Sequence, residues 1–222
     1  TSFTGYTDIS AASAIVIDTT APTVSSVVMA DANIDIDDTS LLTITFSEAV
    51  TAFANADLTI GNGTLTAVAS ADGGVTWTAT FTPTSNHEST GNTIVVGTLW
   101  TDIAGNAYAG VAVSSNAYAI DTKAPTITGI TSDTADGSYI ATQTVNVIVT
   151  FSEAVTLDGG NLVVTLDTGG TVTIETISES TTASGTYTIG AAQTTADLSA
   201  ASVALSGGTL SDASPFSNPM TS

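Results

Sequence analysis

One pattern written twice constrains this chain more than any other feature. Asp18-Thr19-Thr20-Ala21-Pro22-Thr23 returns as Asp121-Thr122-Lys123-Ala124-Pro125-Thr126. Phe46-Ser47-Glu48-Ala49-Val50 returns as Phe151-Ser152-Glu153-Ala154-Val155, and Gly97-Thr98-Leu99 ahead of Asp102 is echoed by Gly208-Thr209-Leu210 ahead of Asp212. Three markers in the same order at similar spacing identify a duplicated unit. The 222 residues are enough for two ordinary domains.

Each unit reads as short strands. Leu42-Thr43-Ile44-Thr45-Phe46 alternates with period two, as does Val75-Thr76-Trp77-Thr78-Ala79-Thr80-Phe81. That period puts one side-chain set on a buried face. Leu42, Ile44, Phe46, Val75, Trp77, Ala79 and Phe81 are the expected core of the first unit, and Val145, Val147, Val149 and Phe151 repeat the pattern in the second. The turns Ala71-Asp72-Gly73-Gly74 and Asp167-Thr168-Gly169-Gly170 are hairpin signals. Residues 193–204 are the one stretch that reads as a short helix or turn. Many short strands between Gly- and Asp-rich turns predict an all-β fold of tandem immunoglobulin-like β-sandwiches. Pro22 and Pro125 stand where a linker enters the first strand of each unit, where a missing N–H costs little.

The expected division is 1–18 as the last strand of a preceding or neighbouring domain, 19–121 as the first sandwich, and 122–222 as a second sandwich lacking its last strand. Residues 13–18, Ser-Ala-Ile-Val-Ile-Asp, match 116–121, Asn-Ala-Tyr-Ala-Ile-Asp, which is the last strand of the first unit. Two arrangements fit this offset. Either the sequence is one period of a longer array, with neighbouring domains in the same chain, or adjacent subunits complete each other by donor-strand exchange into a head-to-tail homopolymer.

Charge narrows the partners. There are 21 acidic residues against a single basic one, Lys123. Internal ion pairs cannot neutralise so many acids, which leaves solvent, salt or bound cations. Nucleic acid and anionic membrane surfaces are disfavoured for lack of a basic footprint, and no apolar run is long enough for membrane insertion as a helix. Cysteine is absent, so neither a disulfide nor a thiolate site exists, and a zinc site would have only His87 to draw on.

The alternation of loops between the two ends of a sandwich predicts where the acids meet. The loop after the second strand and the loop before the last strand share the end where the chain enters. Glu48 and Asp102 are thereby expected near Asp18, and Glu153 and Asp212 near Asp121. The first loop, with Asp31, Asn33, Asp35, Asp37 and Asp38, belongs at the opposite end, facing the junction beside Asp121. Crowded carboxylates repel unless a cation sits among them, and Ca²⁺, which takes six to eight oxygen ligands, suits such loops better than Mg²⁺. The 31–38 run lacks the central Gly and final Glu of an EF-hand loop. Asp72, Asp133, Asp136, Asp158 and Asp167 are explained as turn residues.

DTTAPTV at 18–24, DTKAPTI at 121–127, ITFSEAV at 44–50, VTFSEAV at 149–155 and TDIAGNAYAG at 101–110 resemble bacterial immunoglobulin-like repeats of large calcium-binding surface adhesins and cell-envelope proteins. The resemblance implies a spacer role at the bacterial cell surface, outside the cell, with Ca²⁺ bound at the joints. On that pattern Asp18, Glu48 and Asp102 correspond to one site and Asp121, Glu153 and Asp212 to another. Other readings are a surface-layer or filament subunit, and a carbohydrate- or protein-binding module using Trp100, Tyr108 and Tyr118. Catalysis is not expected. His87 lies alone in the polar loop Ser85-Asn86-His87-Glu88-Ser89, and no nucleophile, base and orienting group can be assembled around it.

Overall fold

Strands form wherever β-branched residues alternate with small polar ones, and the chain turns at Gly and Asp. The computed structural model describes residues 17–220, and the strand expected within 1–18 lies outside them except for Ile17 and Asp18, which are exposed coil. The described residues form two compact units.

The first unit comprises residues up to Ala30 together with Ser40–Thr82 and Thr93–Ala117. Its main sheet pairs Val24–Met29 with Ser40–Phe46, and Ser40–Phe46 with Thr76–Pro83. Gly63–Leu65 follows in that sheet, and Ala69–Ser70 also pairs with Thr76–Pro83. A second sheet places Val95–Val96 between Leu58–Thr59 and Val113–Ser114. Val50–Thr51 pairs with Thr101–Asp102. Leu42, Ile44, Phe46, Ala79 and Phe81 are buried as the alternation predicted, whereas Val75 and Trp77 are only half-buried. Trp77 spends its indole N–H on the Gly74 carbonyl at 3.0 Å and meets Phe53 edge to face.

The second unit takes Asp31–Thr39, Pro83–Asn92 and everything from Tyr118 onward. The compact units therefore do not follow the 19–121 and 122–222 division. The cause is the strand Tyr118–Asp121, which pairs in parallel with Asn33–Ile34 and antiparallel with Glu88–Asn92, so those two segments go with it. The remainder of this unit is two sheets. One joins Ile127–Ser132, the long strand Thr144–Asp158, Ser180–Thr188 and Thr209–Asp212; the other joins Thr171–Ile174, Asn161–Leu166 and Ala200–Ser206. Val147, Val149, Phe151, Leu162, Val164, Val172 and Leu210 fill the core between them.

Registers repeat between the two halves of the sequence. Val24 faces Phe46 as Ile127 faces Phe151, and Ser40 faces Phe81 as Val145 faces Tyr187. Both halves are immunoglobulin-like β-sandwiches. Of the short helix or turn expected over 193–204, the structure has loop with a bend at 196–197 and then the strand Ala200–Ser206, held in register along Asn161–Leu166. Among the described residues no helix is long and apolar enough to cross a membrane.

Candidate functional site

The repeated Phe-Ser-Glu-Ala-Val motif is a bracket for a carboxylate. Phe46 and Val50 are buried anchors, and between them Ser47 clamps the linker: its N–H donates to the Thr23 carbonyl at 2.9 Å and its hydroxyl accepts from the Thr23 N–H at 2.9 Å. Ser152 repeats both bonds with Thr126, at 2.8 and 2.9 Å. With Phe and Val committed to the core and Ser to the linker, the Glu of each motif is left facing the linker's Asp.

In the first unit this brings carboxylate oxygens of Asp18, Glu48 and Asp102 within 4.8 Å of one another. Asp102 is buried and is fixed by Asn106, whose backbone N–H donates to Oδ1 at 2.8 Å and whose side-chain amide donates to Oδ2 at 2.7 Å. The same amide reaches the Asp18 carbonyl at 3.2 Å. Gly105, at φ 96°, supplies the left-handed turn that folds Asn106 back. Burial would raise the Asp102 carboxyl, but the bonds from Asn106, Gly105 and Ala104 outweigh it and hold it below the usual carboxylate range. Glu48 is pushed up by desolvation and then by the charges of Asp18 and Asp102.

The second unit gathers more acids. Oxygens of Glu88, Asp121 and Glu153 lie within 4.8 Å of one another. Asp212 is buried beside them and feels the charges of Glu153 and Asp121, while Asp121 also feels Asp35. Asn218 plays the part of Asn106. Its amide donates to Asp212 Oδ2 at 2.7 Å and to the Asp121 carbonyl at 2.8 Å, and its Oδ1 accepts from the Ile36 N–H at 2.6 Å. Asp35 Oδ2 accepts from the Ser217 N–H and hydroxyl at 3.2 and 2.9 Å. Asp35 Oδ1 and Asp212 Oδ1 are buried without a hydrogen-bond partner. Lys123 bonds Glu88 at 2.9 Å from a half-exposed position.

Asp121, Glu153 and Asp212 resist ionisation. Burial, then Glu153 and Asp121, raises Asp212 to about 7, against the bonds from Asn218. Desolvation, followed by Glu88 and Asp35, raises Asp121 despite Lys123; desolvation, followed by Asp121 and Glu88, raises Glu153. At an effective dielectric of 20, two unit charges 4.8 Å apart repel by about 3 kcal/mol, so one lysine cannot balance this group. Chemically the set is oxygen-only, partly desolvated and short of positive charge, which fits a hard divalent cation and not a softer metal.

The sequence-expected residues divide clearly. Asp18, Glu48 and Asp102 come together, and Asp121, Glu153 and Asp212 come together. Of the first-loop residues, Asp35 reaches the second group, through its charge on Asp121 and its bonds to Ser217. Asp31 Oδ1 caps the Asn33 N–H at 2.9 Å, Asp38 Oδ1 caps the Thr39 N–H at 2.7 Å, and Asp37 occupies a left-handed turn at φ 62°. These bonds are local turn contacts of Asp31 and Asp38. Glu88, Asn106 and Asn218 were not expected. Asn218 sits two residues further from its Asp than Asn106 does, so the two pairings share no common spacing, and nothing local marks Glu88. His87 is half-buried, its backbone N–H donating to the Thr122 hydroxyl and its carbonyl accepting the Thr122 N–H. Trp100 is buried, stacked on half-buried Tyr108 and edge-on to Phe46, and Tyr118 is also buried, so Trp100 and Tyr118 serve the interior.

An all-β sandwich whose conserved-in-duplicate motifs fix carboxylates beside a linker defines a structural module. The profile of the bacterial Ig-like domain family matches residues 18–120, the first repeat. Domains of this family are structural or adhesion-type modules, typically extracellular, and their fold is not a catalytic one. The chain has no significant match among curated proteins or among solved structures.

Proposed function

We propose that this chain is a structural extender segment of a bacterial extracellular adhesin or fibre, with its joints rigidified by calcium. The observation that carries this is the Asp121 group: five carboxylates, those of Asp35, Glu88, Asp121, Glu153 and Asp212, with buried Asp212 Oδ1 lacking a partner. A buried carboxylate oxygen with no donor costs folding energy unless a cation takes it up. Asp121, Glu153 and Asp212 would hold the ion, with Asp35 and Glu88 adding charge and ligands. Asp18, Glu48 and Asp102 would form the corresponding site at the first linker. Ca²⁺ supplies charge neutralisation and multidentate coordination. The chain's part is to aim the oxygens, through the Ser47 and Ser152 clamps and the Asn106 and Asn218 amides. Ion binding would turn a repelling, hinge-like linker into a strut.

Limited proteolysis with parallel melting curves tests this. With excess Ca²⁺ the chain should melt several degrees higher than in chelator and resist cleavage around Asp121. Identical melting and cleavage in the two conditions would defeat the proposal.

A further inference from the structure

The two linkers carry the same turn with one change of charge. Asp18 Oδ1 accepts the Thr20 N–H at 3.0 Å, and Asp121 Oδ1 accepts the Lys123 N–H at 3.1 Å. Thr20 and Lys123 therefore occupy equivalent positions. Thr20 is exposed and neutral, whereas Lys123 is the only basic residue of the chain.

Strand pairing gives that lysine its partner. Asp121 faces Glu88 directly across the antiparallel strands Tyr118–Asp121 and Glu88–Asn92, and like charges in such a pair repel. Thr122, 7% exposed, fixes the chain just beyond Asp121. Its N–H donates to the His87 carbonyl at 2.9 Å, and its hydroxyl accepts the His87 N–H at 3.0 Å and donates to the Thr84 carbonyl at 2.7 Å. Lys123 follows, and its Nζ donates to Glu88 Oε2 at 2.9 Å. The ammonium also feels the charges of Glu153 and Asp121. Both partners of the ion pair are half-exposed, a setting in which such a pair adds little to stability. Its consequence lies instead in the group it faces, where Asp212, 5% exposed, keeps Oδ1 without a hydrogen-bond partner.

We propose that Lys123 is a built-in counter-ion of the Asp121 group, holding Glu88 in competition with a divalent cation and so setting the cation affinity of that site. The inference deepens the calcium assignment proposed above and rests on it. Glu88 can serve a cation only by leaving Lys123, and the ammonium opposes any second positive charge placed among Asp121, Glu153 and Asp212. Thr20 imposes neither cost on Asp18, Glu48 and Asp102. The duplicated sites are thus tuned differently by one linker residue: more carboxylates with an ammonium at Asp121, fewer without one at Asp18. A purely structural role for Lys123, bracing the strand Glu88–Asn92, predicts the opposite sign, because losing the brace would loosen the site and weaken binding.

The test is calcium titration of the full chain carrying Glu48→Gln, which weakens the Asp18 site, with Lys123 retained, Lys123→Thr or Lys123→Arg. Lys123 is half-exposed, so its replacement leaves the core intact. Lys123→Thr, which copies the first linker, should bind Ca²⁺ about five- to tenfold more tightly, and the gain should shrink as salt is raised. Lys123→Arg keeps the charge and should stay within about twofold of the parent. Unchanged or weaker binding by Lys123→Thr, or Lys123→Arg behaving as Lys123→Thr does, overturns the proposal and leaves the calcium assignment standing. Binding absent from all three chains and from the wild type overturns the calcium assignment and this proposal with it, so the two failures are told apart.

Discussion

Asp212 concentrates the physics of this molecule in one side chain. Its folded pKa of about 7 lies above the roughly 3.9 of an unfolded Asp. Between those values the unfolded chain has released the proton and the folded chain keeps it, so stability falls as pH rises, and above about 7 the penalty is complete. The loss has an upper bound of about 4 kcal/mol from this group. Asp121 and Glu153, also raised, add to it in the same direction. In chelator the melting temperature should therefore drop from pH 5 to pH 8, and Asp212→Asn should restore about 1–3 kcal/mol at pH 8 while reducing the stabilisation given by Ca²⁺. Denaturant melts of both proteins at the two pH values check this; a flat wild-type profile would contradict it. At this scale the sequence was readable where chemistry is local and repeated. Asp18, Glu48, Asp102, Asp121, Glu153 and Asp212 all stand in duplicated motifs. Glu88 was not readable, because it reaches Asp121 only through the pairing of two strands far apart in sequence. Asp31 and Asp38 show why a string of acids is ambiguous to read: each accepts a nearby backbone N–H, a contact that spacing alone does not distinguish from ligation.

At the scale of elements, the Phe-Ser-Glu-Ala-Val strand end does two jobs at once. Its apolar residues close the core, and its Ser holds the linker in place by two backbone contacts. Ser152→Ala keeps the Ser152 N–H bond to Thr126 and loses the one to the Thr126 N–H, with an expected cost of about 1 kcal/mol by denaturant unfolding, and should weaken cation binding at the Asp121 group because Glu153 follows it directly. An unchanged midpoint and unchanged affinity would remove the clamp from the account. Period-two patterning located the strands at Leu42–Phe46 and Val145–Phe151 well, since a half-buried strand must alternate. It failed over 193–204, where Ala, Ser and Thr carry too little hydrophobic contrast to distinguish a strand from a helix, and only the Asn161–Leu166 partner decides. Trp77 alternated correctly yet is half-buried, because its ring sits near the strand's start and is held by the Gly74 carbonyl.

For the whole molecule, a net charge of −20 leaves an excess of acids that the two proposed cation sites would offset in part. The sandwich class followed from the sequence because duplication, alternation and turn residues agree with one another. The grouping of Asp31–Thr39 and Pro83–Asn92 with the second unit did not, because it depends on which strands flank Tyr118–Asp121. Calcium titration by calorimetry at pH 8 tests the central claim most directly, comparing the wild-type chain with Glu48→Gln and Asp212→Asn. The account predicts saturable heat from two sites, one weakened by each substitution while the other persists. Heat no greater than dilution in the wild type, or two variants indistinguishable from it, would contradict the account.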